Sequence, residues 1–396
     1  MTANAPSLQR EITVIKALYV FYYAGFGLFT AYIALYYYSI GMSGLQIGWI
    51  NGVAPLVAML GAPVWGLLND RFGKPRLFLG VAVLGVLVSL LGIAAASSFS
   101  LLLIAVGLYS LFNTSLIPTI DTLNLGLPGG QRENYGQQRI WGSIGFIATT
   151  WISGFALESL GLRAIFPGYM AMLAIMLVAI FLLPARPLTI TRAPQRDLGR
   201  LVSQRPWLFF SASLMLFSLA GTSMYSFLSI YLQKLGASSG LIGSVWSLGT
   251  ISELPVMFFG AYLLRRLGIK RMLSLAYGML AVRFLLYAVM PAPGWALLIA
   301  PLHFFTFGLY WVAAVMYVNQ MAPEGLKTTA QSLMAAEAGL ASMLGAPLCG
   351  FLYDHFGGAT LFQASALVCL LALAALWLGF LSEKKNTFSA HKAETG

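Results

Sequence analysis

Glu253, Arg283, His303 and Glu337 each stand inside a stretch that is otherwise almost wholly apolar. An ionisable side chain at the centre of a bilayer costs about 2.5 to 3.5 kcal/mol on insertion scales, and it persists where it faces a cavity or a partner. Counting about 1.5 Å per residue from the end of each stretch puts Glu253 about 21 Å deep, Arg283 about 18 Å, and His303 and Glu337 about 14 Å each. Common depth on different helices predicts one polar cluster, with Arg283 as counter-ion to either glutamate. Its chemistry is proton uptake and release: apolar surroundings favour the neutral form of a carboxyl, and an approaching guanidinium or substrate charge reverses that preference. Glu253 is the first candidate to carry the proton and His303 the second. The competing reading is structural, a permanent ion pair that fixes helix packing and, for His303, a hydrogen bond that does the same.

Asp121 and Arg139 form a second set, nearer the ends of their helices. Arg139 offers a planar fork for a substrate carboxylate or hydroxyls, with Asp121 orienting it; the alternative is a solvated pair at helix ends. Aromatic residues make up 13% of the chain. Those near span ends fit an interfacial belt, whereas Tyr22 and Trp311, together with Phe26, Tyr225 and Trp246, are candidates to line a cavity for a flat apolar ring. Lys16, close to the start of the first apolar stretch, reads as a snorkelling cation.

Other chemistries lack the residues to carry them. There is no Gly-x4-Gly-Lys-Ser/Thr loop to cradle phosphates, which argues against an ATP-driven pump. Neither a His-rich metal cluster nor a Ser/His/Asp set occurs in the apolar stretches, so no enzyme, cofactor or metal site is expected. Cys349 and Cys369 lie within apolar segments and behave as small hydrophobes. The expected partners are a small-molecule substrate, protons and membrane lipid, for a chain that functions as a monomer.

The elements that must position these residues follow from composition. Of 396 residues, 59% are hydrophobic and 9% charged, against roughly 25% charged in soluble domains. Each helical crossing takes about 20 apolar residues. Cutting at glycine, proline and charge clusters gives twelve spans at roughly 12–38, 46–69, 77–96, 100–126, 137–159, 164–184, 207–233, 239–263, 271–290, 294–321, 328–352 and 359–381. The first is too long for a signal-peptide core and lacks a small-residue cleavage site, so it is expected to be retained. The chain carries 23 Lys and Arg. Lys16, Arg139 and Arg283 lie within spans, Arg163 and Lys234 in outside loops, and the remaining eighteen in inside loops and tails. That asymmetry predicts a multi-pass protein of a bacterial-type inner membrane with both termini cytoplasmic, and it explains the net charge of +11 without nucleic acid.

The arginine- and proline-rich stretch 185–206 reads as a cytoplasmic linker between six-helix bundles at 1–184 and 207–381, followed by a polar cytoplasmic tail at 382–396. A shift of 195 residues aligns Gly41, Ser43, Ile47 and Gly48 with Gly236, Ser238, Ile242 and Gly243, and Arg71, Gly73 and Arg76 with Arg266, Gly268 and Arg271. A finer pattern, Gly-x3-acid-x2-Gly, recurs at Gly66/Asp70/Gly73, Gly154/Glu158/Gly161 and Gly350/Asp354/Gly357. Inverted three-helix units nested in two parallel halves are the internal symmetry of secondary transporters that bind substrate near the midplane.

The run Gly66-Leu67-Leu68-Asn69-Asp70-Arg71-Phe72-Gly73-Lys74-Pro75-Arg76 resembles the signature loop of the major facilitator superfamily. Pro118-Thr119-Ile120-Asp121 with Tyr135-Gly136-Gln137-Gln138-Arg139-Ile140-Trp141-Gly142-Ser143 resembles the phenylpropionate permease group, relatives of the lactose and nucleoside proton symporters. Ser252-Glu253-Leu254-Pro255 and Leu302-His303-Phe304-Phe305-Thr306-Phe307 extend the likeness to the second half. The resemblance implies an all-α membrane fold of two pseudo-symmetric six-helix bundles. It also implies a conformational latch at Gly66, Asp70, Arg71 and Gly73, and matches Asp121, Arg139, Glu253, Arg283 and His303 to polar residues of the lactose symporter. That symporter carries a glutamate one turn after its histidine where Thr306 stands here, so lactose specificity and its coupling scheme are not implied. The expected function is secondary active transport by alternating access, with proton symport of a small organic solute, an aromatic carboxylate ahead of a sugar or nucleoside. An efflux carrier of the same fold and a non-transporting membrane sensor are the alternatives.

Overall fold

The computed structural model describes residues 5–127, 135–183, 202–323 and 326–394. Arg132, Arg186, Arg192, Arg196, Arg200 and most of the expected linker lie outside the described residues, as do the side chains of Asp70 and of everything beyond Ser382. The helices are α1 (Ala5–Ser39), α2 (Gly44–Phe72), α3 (Pro75–Ala95), α4 (Phe99–Asn113), α5 (Leu116–Leu125), α6 (Tyr135–Leu160), α7 (Ile165–Phe181), α8 (Arg205–Lys234), α9 (Ser239–Leu267), α10 (Ile269–Val289), α11 (Tyr310–Met321) and α12 (Lys327–Glu394). No strand occurs among the described residues.

Ten helical segments are long and apolar enough to cross a bilayer, and a bent pair, Ser239–Val256 with Phe258–Leu267, supplies an eleventh crossing. One of the ten, Thr329–Ser382, has 54 residues, far more than the about 20 a crossing needs. It breaks at Gly357 (φ 80°, ψ 175°) and therefore crosses twice, which makes twelve spans.

Local sequence sets where the chain turns. Ser43 closes a capping box at the start of α2, its Oγ accepting from the Gln46 backbone N–H at 3.2 Å while the side-chain Oε1 of Gln46 accepts from the Ser43 N–H at 3.0 Å. Gly73 ends α2 in the left-handed region (φ 59°) and donates to the Asn69 carbonyl at 2.8 Å, and Pro75 opens α3, where its missing N–H costs nothing. The positive-φ glycines among the described residues fall into pairs, Gly41 with Gly236, Gly73 with Gly268 and Gly161 with Gly357. The first two pairs are separated by the 195 residues read from the sequence and the third by 196. Side chains other than glycine are disfavoured in this region, so the pairs mark the same turn built twice.

The chain divides into two compact units, Met1–Thr191 with Leu228–Leu248, and Arg192–Phe227 with Gly249–Gly396. In the first, α1 packs on α6 and α7 while α4 joins α2 and α3; in the second, α10 is the hub, packed on α11 and α12. Segment 228–248, which the expected halves assign to the second bundle, clusters with the first unit. Polar side chains such as Thr150, Ser213 and Ser223 are fully buried, whereas Leu298, Leu160, Phe258 and Val88 are about 70% exposed. This arrangement suits lipid outside and hydrogen-bonded helix contacts inside.

Candidate functional site

In the second unit α10 brings Arg283 to an irregular stretch that precedes α11. That stretch is 3₁₀ over Ala300–Leu302 and π-helical over Phe304–Leu309, a local rewinding often found at functional positions. It turns His303 and Thr306 toward one guanidinium. Arg283 Nη1 lies 2.7 Å from His303 Nδ1 and donates to Thr306 Oγ1 at 3.0 Å, and Nη2 donates to the Tyr287 hydroxyl at 3.2 Å. On the far side of the imidazole, His303 Nε2 is 2.7 Å from Glu253 Oε1. Arginine has no acceptor, so Nδ1 must be the unprotonated nitrogen and Nε2 must carry the hydrogen donated to Glu253. Only one tautomer fits, and it is a neutral ring held between an acid and a base.

The expected direct pairing of Arg283 with a glutamate is thus corrected to a relay through His303. Depth along a helix is countable from sequence, whereas rotation about its axis decides which neighbour is met. Glu253 sits two residues before Pro255, which removes the hydrogen bond to the Ile251 carbonyl, and α9 bends by 64° just beyond it. Glu337 does not join the relay among the described residues: Ser211 donates to its Oε1 at 2.8 Å, and its Oε2 is buried without a hydrogen-bond partner. Trp311 is half exposed and stacks on Phe307 (6.1 Å), which stacks on His303 (5.4 Å), so an aromatic ladder runs along the face that carries the histidine.

In the first unit Asp121 and Arg139 do not form an ion pair among the described residues. The Tyr19 hydroxyl donates to Asp121 Oδ1 at 2.5 Å and accepts from Asn124 Nδ2 at 3.3 Å. Arg139 donates from Nη2 to the Tyr23 hydroxyl and stands over the rings of Tyr23 (4.1 Å) and Tyr19 (5.6 Å). The expected orientation of Arg139 by Asp121 is therefore corrected: two tyrosines of α1, one turn apart, separate acid and base. Tyr22 is buried, stacked on Phe26 at 5.8 Å, and Trp246 is buried, donating to Ser229 Oγ at 3.0 Å. Tyr19, Tyr23, Asn124, Tyr287 and Thr306 are site residues that sequence reasoning did not select.

Of the repeated Gly-x3-acid-x2-Gly pattern, Gly66 and Arg71 are exposed at the end of α2. The Glu158 copy shows what the acid does: its Oε1 accepts the Gly240 N–H at 2.9 Å, in the first turn of α9. Helix N-termini present unsatisfied N–H groups and positive partial charge, which a carboxylate satisfies.

Twelve spans, paired glycine turns and ionisable side chains held within the apolar helices define a secondary membrane transporter. The profile described as "MFS_1 like family" matches residues 12–364, and the chain belongs to that family. It is 28% identical over 391 residues to the maltose permease of Geobacillus stearothermophilus, covering 96% of this chain and 97% of the relative. To the probable 3-phenylpropionic acid transporter of Escherichia coli (strain K12) it is 27% identical over 365 residues, covering 90% and 94%. The solved structure of the nucleoside transporter NupG superposes with a TM-score of 0.82 at 17% identity, covering 93% of this chain and 99% of the other. The family transports solutes and performs no catalysis.

Proposed function

We propose that this chain is a proton symporter of the inner membrane, with both termini cytoplasmic, that imports a small organic solute by alternating access. Aromatic carboxylates are the first substrate class, ahead of sugars and nucleosides. The observation that carries the reading is the Glu253–His303–Arg283 relay. With Glu253 ionised the relay is neutral overall. A proton on Glu253 leaves the charge of Arg283 uncompensated in a medium of low dielectric, and an anionic solute restores neutrality. Proton and anion are then each unfavourable alone and favourable together, which is the condition for symport.

Arg139 is proposed as a second cation available to an anionic solute, since the partner it holds, Tyr23, is a neutral hydroxyl. In the second unit the stacked pair Phe307–Trp311 offers flat apolar surface for a ring, and in the first unit Phe26, stacked on the buried Tyr22, offers another. Gly66, Asp70, Arg71 and Gly73 serve as the cytoplasmic latch, by analogy with what Glu158 does for α9. Glu337 is a second carboxyl available to the coupling, acting apart from the relay.

The test is uptake of labelled phenylpropionate, a nucleoside and a disaccharide into proteoliposomes, with and without an inward proton gradient, for wild type and Glu253→Gln. Gradient-driven accumulation of phenylpropionate is expected, lost in the variant while exchange of solute persists. Absence of uptake of all three by correctly oriented protein would sink symport and leave efflux or sensing. For Arg139→Lys, which keeps the charge and loses the fork, a charge-assisted hydrogen bond of about 1.5 to 3 kcal/mol predicts a KM raised roughly tenfold to a hundredfold. An unchanged KM would remove Arg139 from the substrate.

A further inference from the structure

Between α3 and α7 of the first unit runs a groove of about 600 Å³. Leu77, Val81 and Leu84 line one wall, and Leu177, Ile180 and Phe181 the other. Gly80 lies between, and a Cβ built there meets nothing within 4 Å, so the groove is open at its middle. One end is different. Lys74 and Arg76 stand there, and among the described residues no acid belongs to the lining. Arg76 donates to the carbonyls of Leu183 at 2.7 Å and Phe181 at 2.9 Å, and lies 5.9 Å over the Phe181 ring. These contacts pin its charge at the head of the groove without cancelling it. Lys74 is exposed beside it.

Length points to the occupant. From Pro75 to Leu84 the helix rises about 14 Å at 1.5 Å per residue, and one leaflet of a bilayer's hydrocarbon is about 15 Å deep. An apolar slot one leaflet deep with cations at its rim matches an acyl chain joined to an anionic headgroup. A free anion would make no use of the slot, and a zwitterionic headgroup would bring its own cation against Lys74 and Arg76. We propose that this groove binds one anionic phospholipid, its phosphate at Lys74 and Arg76 and an acyl chain along Leu77, Val81 and Leu84.

Native mass spectrometry of the purified full chain, exchanged against phosphatidylglycerol and phosphatidylcholine with the same acyl chains, tests this. Wild type is expected to retain one phosphatidylglycerol in preference to phosphatidylcholine. Lys74→Gln, a surface change, should reduce that retention about fivefold, the usual effect of one juxtamembrane cation. Gly80→Phe, whose Cβ enters open space, should fill the slot and abolish the specific retention while the melting temperature stays near that of wild type. Equal retention of the two lipids by wild type would overturn the proposal, and so would phosphatidylglycerol binding that survives in folded Gly80→Phe.

Discussion

Arg283→Ala is expected to destabilise the second unit by about 3 to 5 kcal/mol, the usual cost of removing one partner from a buried charge pair. Arg283 is 3% exposed, and its guanidinium serves His303, Thr306 and Tyr287 together. Deleting it leaves Glu253 as the unbalanced charge of the relay and strips Nδ1 of the imidazole of its strongest donor. The double variant Arg283→Ala/Glu253→Gln carries no net charge at this place, and it should be more stable than the sum of the two single losses allows. A coupling of 2 kcal/mol or so between the positions lies within the range seen for residues in one hydrogen-bonded network. Unfolding in detergent of wild type, both single variants and the double closes the cycle. If the losses simply add, the acid and the base do not sense one another through His303, and the symport reading loses its physical basis together with the relay.

The relay also shows what could be read beforehand. Spans, repeats and the depth of each buried charge follow from composition and counting, because a lipid surround imposes about 20 apolar residues per crossing whatever the rest of the sequence does. Glu253, Arg283 and His303 were legible as a set for that reason. Their order was not. Whether Arg283 meets a carboxylate or a ring depends on helix rotation, and here rotation is altered by a 3₁₀-to-π rewinding at Ala300–Leu309 whose only sequence sign is Pro301. Glu337, at the same expected depth as His303, turns instead to Ser211.

Tyr19 and Tyr23 were illegible for a different reason. The first helix holds seven tyrosines, Tyr19, Tyr22, Tyr23, Tyr32, Tyr36, Tyr37 and Tyr38, and with apolar residues on every face there is no amphipathic stripe to say which ring turns inward. Only the positions of Asp121 and Arg139 on neighbouring helices select the two that are one turn apart. The glycine pattern was more telling than its single copies. Glu158 capping α9 gives a physical role to an acid that in sequence is merely a spacing.

The second large effect is expected at Gly243. Here α9 meets α6 so closely that a Cβ on Gly243 would lie 2.2 Å from the Thr150 carbonyl oxygen, 2.3 Å from the Tyr32 hydroxyl and 3.2 Å from Gly154 Cα. Rotation of Tyr32 relieves one of these contacts, but two involve backbone, so the helices themselves must separate. Hydrogen bonds cross the same contact: Tyr32 donates to the Ser239 carbonyl at 3.1 Å, Thr150 and Ser247 hydroxyls lie 2.7 Å apart, and Glu158 holds Gly240. Overpacking of this kind costs typically 1 to 3 kcal/mol, which lowers the population of the closed contact roughly 5- to 150-fold. If alternating access requires this end to close in each cycle, Gly243→Ala should reduce uptake by a comparable factor while leaving the protein folded. A cysteine placed at the half-buried Ser153 should become more reactive to maleimide in that background. Gly221→Ala, where a Cβ meets nothing within 4 Å, is the matched control and should transport normally. Uptake and labelling both unchanged in Gly243→Ala would mean that the contact between α6 and α9 need not close for the solute to cross.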